Sequence, residues 1–390
     1  MSLRVLRFLT AGESHGKGLT AILEGIPANL EISEGYINRE LRRRQGGYGR
    51  GGRMKIEKDR VQITSGVRFG KTLGSPITLW IENKDWENWK EKMAVEGQPS
   101  EAVVPFTRPR PGHADLVGGI KYNQRDLRNI LERASARETA ARVAVGAVCK
   151  RFLEEFGIRI GSYVINIGEC SFPIEEEDLL KRHELAEKSE LRFPDPTRDE
   201  EFKKYIDSVR EKGESAGGMF EVFAVGVPPG LGSHIQWDRR IDGRIAQAMM
   251  SIQAMKAVEI GLGVESAVRL GSQVHDEIGY SPEKGYFRHS NNLGGTEGGI
   301  TNGMPLLVRV TMKPIPTLKN PLRSVDIDTK EELSAGKERT DVVAVPAASV
   351  VGEAMLAIVL ADALLEKLGG DFMEELKARF KLYMEHVKGF

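Results

Sequence analysis

The sequence predicts an α+β protein in which a layer of helices is covered by sheet on both sides. Three observations carry this reading. Long helical patterns run over 136–156, 240–260 and 347–368. The first and third are alanine-rich and apolar around much of their circumference, and a helix apolar on every side is buried on every side. The segments between them alternate or run apolar as strands do. A helical layer that needs covering on both faces, with strands available to cover it, gives sheets above and below the helices. A chain of 390 residues can bury a large core, and one intertwined domain or two smaller ones both fit. TAARVAVGAV (139–148) and GEAMLAIVLADA (352–363) are faintly alike, which suggests a single domain over 1–390 built from two related halves.

Taken in chain order, the first feature is GESHG at 12–16. It matches the G-x-S-x-G nucleophile elbow of serine hydrolases, but an elbow follows several strands of a sheet. Only eleven residues precede this one, and KGLTAILEG after it is not a convincing helix. It reads as a glycine turn presenting Ser14 and His15, open to close ligand approach. GYINRELRRR (35–44) reads as a helix that places Arg42 and Arg43 in solvent or at a subunit contact. RRRQGGYGRGGR (42–53) then packs five arginines and five glycines into twelve positions. It reads as a hinged loop carrying Arg44, Arg50 and Arg53.

RVQITSGV (60–67) and PITLWIEN (76–83) flank the turn-rich RFGKTLGS and form a hairpin. RPRPGHADLVGG (108–119) sets His113 in a proline-stiffened loop beside Arg108 and Arg110. A histidine next to a bound phosphate can protonate a leaving oxygen, and the arginines favour an anion. Asp115 reads as a helix cap. ERASARET (132–139) contains Ser135 and Glu138 as S-x-x-E, a capping box opening the helix at 136 with Arg133 and Arg137 beside it.

IRIGSYVINIGEC (158–170), GMFEVFAVGVP (218–228) and PLLVRVTMKP (305–314) read as strands. In the last, Arg309, Thr311 and Lys313 share the face opposite Val308, Val310 and Met312. The charge-dense stretch from Glu175 to Glu214 reads as a peripheral solvated face. GGTEGGITNGMP (294–305) is a glycine-rich loop, neither a Walker A nor a dinucleotide fingerprint. KPIPT (313–317) ends a strand, GKERTD (336–341) precedes the last long helical pattern, and an amphipathic helix closes the chain after Gly369-Gly370.

Composition removes several classes. Basic and acidic residues number 56 each. An RNA-binding protein built on the Arg-Gly stretch would show repeated units, a basic balance and stacking aromatics. Here there is one stretch, one tyrosine (Tyr48) within it and no net charge. Anion binding is therefore expected at a local site, with no nucleic-acid partner. Two cysteines, Cys149 and Cys170, and seven scattered histidines without an H-x-x-x-H pair predict no metal site and no disulfide framework. The N-terminus lacks an apolar signal region and no stretch reads as a membrane span, so a cytoplasmic protein is expected.

GESHG, RRQGGYGRGGRM, RPGHAD, RASARETAARVA, VEIG, GGITNG, KPIPT and VGEAMLAIVL occur in that order from end to end. The set closely resembles the chorismate synthase family over essentially the whole chain. The resemblance implies a β-α-β sandwich with helices between antiparallel sheets, assembled as a homotetramer. It implies a lyase converting 5-enolpyruvylshikimate 3-phosphate to chorismate by 1,4-anti elimination of phosphate, with reduced FMN required. By the same resemblance His15 protonates the reduced flavin, His113 protonates the departing phosphate, and Asp341 helps the C6 proton leave. The flavin site would use Arg133, Ala134, Ser135, Gln253, Ala254, Gly298, Lys313, Pro314, Ile315, Pro316, Thr317 and Arg339. Arg44 and Arg50 match positions for substrate phosphate or NADPH contact, and Arg53 and Arg137 are further members of the anionic pocket. Some members reduce their own flavin with NADPH. Without a dinucleotide fingerprint here, externally reduced FMN is expected, with NADPH only an indirect reductant.

Overall fold

Two sheets enclose the helical layer in the computed structural model, which describes residues 5–50, 58–100, 103–338 and 341–390. The first sheet contains β1 (Arg7–Ala11), β2 (Gly18–Glu24), β3 (Val61–Ser65) and β4 (Ile77–Glu82), ordered β1-β2-β4-β3. The second contains β5 (Arg159–Ile167), β6 (Gly218–Val225), β7 (Met255–Ile260) and β8 (Leu306–Met312), ordered β5-β6-β8-β7, with short Cys170–Ser171 at the β5 edge. Every pairing within them is antiparallel. Alternation sets the inner faces: Ile77, Leu79 and Ile81 are buried in β4, and Leu306, Val308, Val310 and Met312 in β8. Arg309 points the other way, as its position in the alternation requires, and pairs with Glu259 and Glu221.

The helices are α1 (Glu34–Gln45), α2 (Asp115–Tyr122), α3 (Arg128–Ala134), α4 (Thr139–Glu154), α5 (Leu179–Ala186), α6 (Asp199–Glu211), α7 (Ile241–Met250), α8 (Val345–Leu368) and α9 (Met373–Gly389). α4 lies on β2 and β4, α8 lies on β5 and β6, and the two helices pack on each other. Small residues allow this. A Cβ on Gly146 would fall 2.3 Å from Ala354 Cβ, and one on Gly352 would fall 2.7 Å from Val222 Cγ2. The β-α-β sandwich implied by the family resemblance is the observed architecture. Setting insertions aside, β1-β2-α1-β3-β4-α4 and β5-β6-α7-β7-β8-α8 follow the same succession and the same strand order in their sheets.

Several local expectations change. The helix over 240–260 stops at Met250; Ala254 turns the chain at φ 70°, and residues 255–260 pair with β8 as a strand. Sheet pairing overrides a helical periodicity there. KGLTAILEG is the strand β2, which explains its poor helical pattern. The α8 segment is long and apolar enough to cross a membrane, contrary to the reading that no stretch was; its apolar window lies wholly inside the protein. The 175–214 region is not merely a solvated face. Leu191, Phe193, Phe202 and Ile206 are fully buried, and Phe172, Phe193 and Phe202 pack as a ring cluster.

Arg43 is largely withdrawn from solvent, its side chain 16% exposed. It reaches Glu353 on α8 at 2.8 Å, Glu40 at 2.6 Å and Glu187 at 2.7 Å. Glu353 also takes Lys150 at 2.8 Å, Arg192 at 3.2 Å and the Ser162 hydroxyl at 2.6 Å. Burial opposes a charge at Glu353, but Arg43 and Lys150 hold its carboxyl well below the usual range. Removing one member of such a set leaves the others as uncompensated buried charges. Glu353→Ala should therefore lower the unfolding free energy by about 3–5 kcal/mol in urea titrations. Glu187 gives a pH-dependent counterpart. Burial raises its carboxyl, yet Arg43 and Arg192 bring it down from 4.5 to about 2. A folded-state value below the unfolded one stabilises fully above pH 4.5, and the gain is lost as pH falls toward 2. Urea unfolding of Glu187→Gln should accordingly show a constant deficit at neutral pH that narrows below pH 4.5.

Candidate active site

The GESHG turn joins β1 to β2 and is fastened from two directions. Gly12 has φ 112°, and a Cβ there would meet the Gly18 carbonyl oxygen at 2.3 Å, so only glycine fits. The Asn83 side chain donates to the carbonyls of Glu13 and Gly16. From the other side, the Ser14 N–H donates to the Glu132 carbonyl at 3.1 Å and the Ser14 hydroxyl meets that of Ser135 at 3.1 Å. The His15 backbone N–H donates to the Glu132 carboxylate at 2.7 Å, and His15 Nδ1 lies 2.9 and 3.0 Å from its two oxygens. The His15 ring stacks on Trp89 with centroids 3.9 Å apart. Arg133 donates to the Thr10 carbonyl at 2.8 Å and to its hydroxyl at 2.7 Å.

The capping box is only half formed. Ser135 accepts from the Arg137 N–H across a single 3₁₀ turn before α4. Glu138 does not return to Ser135; its carboxylate takes the Thr10 hydroxyl, Arg142 and Gln253, which are stronger or better placed partners. That contact brings Gln253 beside Arg133 and Ser135.

Arg44 and Arg137 share one buried carboxylate. Arg137 meets Asp59 at 2.5 Å and Asn83 at 2.9 Å; Arg44 meets Asp59 at 3.3 Å, the Thr139 hydroxyl at 2.9 Å and the Ala136 carbonyl at 3.2 Å. Arg44 is thus a buried residue ending α1, not part of a mobile Arg-Gly loop. Its guanidinium is pushed down to about 10 chiefly by burial, with Asp59 opposing and Arg137 and Arg50 adding repulsion. Arg50 pairs with Asp341 at 3.1 Å. Tyr48 packs outward on α6, its hydroxyl on Asp207. Arg53 and Arg339 lie outside the described residues.

His113 is held by its own loop. Its Nδ1 lies 2.6 Å from Asp115, and Asp115 also accepts from the Arg110 backbone N–H at 3.0 Å and from Arg110 Nε at 2.8 Å. Asp115 begins α2 but does not cap it. Burial opposes its charge, while the His113 and Arg110 hydrogen bonds hold its carboxyl far below the usual range. An Nδ1–H given to Asp115 cannot also accept from Arg110, whose NH2 sits 3.0 Å away, so that approach is a packing contact. Arg110 donates onward to the Thr317 hydroxyl at 2.9 Å. Lys313 donates from Nζ to the Gly112 carbonyl at 3.2 Å and from its backbone to the Ala254 carbonyl at 3.0 Å. Burial and then Lys256 push the Lys313 ammonium down. Pro316 would touch a Cβ on Gly112, and Ile315 accepts from the Ser215 hydroxyl, so the KPIPT turn is fixed against the His113 loop.

Arg128 joins the two histidine regions. Its guanidinium lies over Trp89 at 5.2 Å and over Phe106 at 5.4 Å, and pairs with Glu132 at 3.3 Å and Glu338 at 2.6 Å. His15, His113, Arg133, Ala134, Ser135, Gln253, Ala254, Lys313 and Thr317 are therefore linked by a chain of contacts that runs through Arg128 and Phe106, with buried Arg44 and Arg137 next to the GESHG side of it. Gly298 stands apart. It turns a hairpin whose Gly299 carbonyl accepts from the Ile241 N–H, and no described hydrogen bond or ion pair ties it to the rest. Glu132, Asp115, Asn83, Asp59, Arg128 and Trp89 were not picked out as site residues, and Arg110 only as a cation favouring an anion. Asp115 and Glu132 stand inside segments already singled out; Asp59, Asn83 and Trp89 act through distant contacts that no local spacing signals.

The chorismate synthase family model matches residues 6–365. A chorismate synthase from Aquifex aeolicus (strain VF5) is 80% identical over 398 residues, covering 100% of both chains. One from Sulfurihydrogenibium sp. (strain YO3AOP1) is 60% identical, covering 99% of this chain and 100% of the other. A crystal structure of chorismate synthase superposes with a TM-score of 0.82 at 66% identity over the full length of both. With matches of this extent across sequence and fold, the chain belongs to the chorismate synthase family of lyases.

Proposed function

We propose that this chain catalyses the 1,4-anti elimination of phosphate from 5-enolpyruvylshikimate 3-phosphate to give chorismate, the last step of the shikimate pathway, with reduced FMN bound beside the substrate. The observation that carries the reading is the pair of histidines, each with Nδ1 against a buried carboxylate that an arginine also binds. The substrate bears two carboxylates and a phosphate, and FMN adds another phosphate. Such ligands call for fixed cations, for which guanidinium forks are suited. Arg44 and Arg137 both meet buried Asp59, which sets two guanidinium groups side by side where water is largely excluded.

The residues fit a flavin. Gln253 Oε1 is a buried acceptor with no hydrogen-bond partner among the described residues, adjacent to Ala254 and Lys313. A ring system offering N–H donors would satisfy it. Arg133, Ala134, Ser135, Gln253, Ala254 and the Lys313 to Thr317 turn would hold the cofactor, with Arg339 and Gly298 assigned by family likeness alone. A reduced flavin held by these residues would supply electron density to the C–O cleavage, with no net change in its oxidation state. His113 protonates the departing phosphate through Nε2, because Nδ1 is committed to Asp115. His15 holds the proton on the flavin side, and Asp341 assists loss of the C6 proton. Arg50 and Arg53 complete the anionic pocket.

The finer assignments go with this reading: a cytoplasmic homotetramer, FMN reduced externally, NADPH acting only indirectly, and a single domain of two related halves. The matching strand orders of the two sheets support the last. The exposed Leu116, Val117 and Ile120 of α2 support assembly through an apolar face.

Anaerobic incubation with the enolpyruvyl substrate and dithionite-reduced FMN should release phosphate, and omission of the flavin should abolish release. Equal release without flavin would refute the reading. His113→Ala should cut turnover by roughly 10²- to 10⁴-fold, as for other general acids, while flavin affinity measured by fluorescence changes far less.

A further inference from the structure

We propose that Glu132 is a positioning residue for His15, and that Arg128 keeps Glu132 in place. This rests on the reading of His15 as a proton-transfer group. The Glu132 side chain is 1% exposed, and its carboxylate serves His15 twice, at the ring Nδ1 and at the backbone N–H. Those two contacts fix both where the residue sits and how its ring is turned. Trp89 fixes the ring plane from one face. Arg128 closes the arrangement: it pairs with Glu132, is held by Glu338, and lies over both Trp89 and Phe106.

Burial opposes the charge on Glu132, but the His15 hydrogen bond and Arg128 hold its carboxyl below the usual range. Glu132 therefore stays an acceptor, and Nδ1 is the nitrogen that donates to it. Proton exchange by this ring then runs through Nε2. Glu132 takes no proton during turnover; its effect is on the tautomer and the orientation of His15. A simple surface pair would not have these properties, because it would neither bury the carboxylate nor engage the main chain.

The test uses the full chain labelled with ¹⁵N at histidine and examined by magic-angle-spinning NMR, with His15→Gln identifying the resonances. The parent chain should show a protonated Nδ1 and an unprotonated Nε2 at His15. Glu132→Ala should lose this pattern, moving to the Nε2–H tautomer or an average. Its kcat should fall on the order of 100-fold, the size expected for a misplaced catalytic group, with KM changed only a few-fold. Glu132→Gln retains an acceptor at the same reach and should keep the Nδ1–H tautomer and recover most of kcat. Arg128→Gln should blur the tautomer while leaving Glu132 intact. A folded Glu132→Ala with the parent tautomer or the parent kcat would overturn the proposal; so would Glu132→Gln losing the Nδ1–H tautomer. The NMR readout needs no turnover, so a parent chain that releases no phosphate would refute the functional reading separately.

Discussion

The contact of α4 with α8 is the constraint on which the remaining structure depends. Gly146 lets the helices approach until Ala354 fills the space a Cβ would need, and Gly352 lets α8 settle on Val222 and Phe220 of β6. Helices packed this tightly have no apolar surface left for solvent, so each must be roofed by a sheet. Interiors at this density do not deform continuously. α4 is consequently a rigid beam between two charged regions. Its N-terminal approach carries Ser135, Arg137 and Glu138 into the active site, and Lys150 near its other end meets Glu353 on α8.

Charge is distributed with the same economy. The chain has no net charge, yet Arg44 and Arg137 converge on one buried carboxylate, Asp59. Around Glu353 the reverse need is met: one buried carboxylate is surrounded by Arg43, Lys150 and Arg192, with Glu40 and Glu187 restoring balance. Both clusters use long arginine side chains reaching between elements far apart in the chain. The first gathers two guanidinium groups on Asp59. The second is balanced and belongs to the framework.

Much of this was legible in the amino-acid order, and what was not has a common cause. Period-two alternation located β4 and β8, and all-round apolar character located α4 and α8 as interior helices. Two of the local motifs also meet in the fold, since GESHG docks on ERASARET. The end of α7 was misread because a strand of six residues can carry a helical-looking apolar pattern, and pairing with β8 decides the outcome. Arg43 was misplaced because its partner Glu353 lies 310 positions away. Asp59, Asn83 and Trp89 were missed for the same reason: their importance exists only after the chain has closed.

The two histidines differ in how their geometry is secured, and this bears on how the site assembles. His113 takes its carboxylate from two residues away, and Arg110 binds that carboxylate from within the same loop. This unit is formed as soon as the proline-stiffened loop is formed. His15 instead meets a carboxylate 117 positions distant, and only when the GESHG turn has docked on α3. Its orientation passes through Arg128 to Glu338, three residues before Asp341, which in turn pairs with Arg50. A disturbance of Glu338 therefore reaches His15 through Arg128 and Glu132. His113 takes its carboxylate from its own loop, although that loop also receives the Gly336 N–H at the Arg108 carbonyl. One histidine is oriented by its own segment, and the other only by the completed fold.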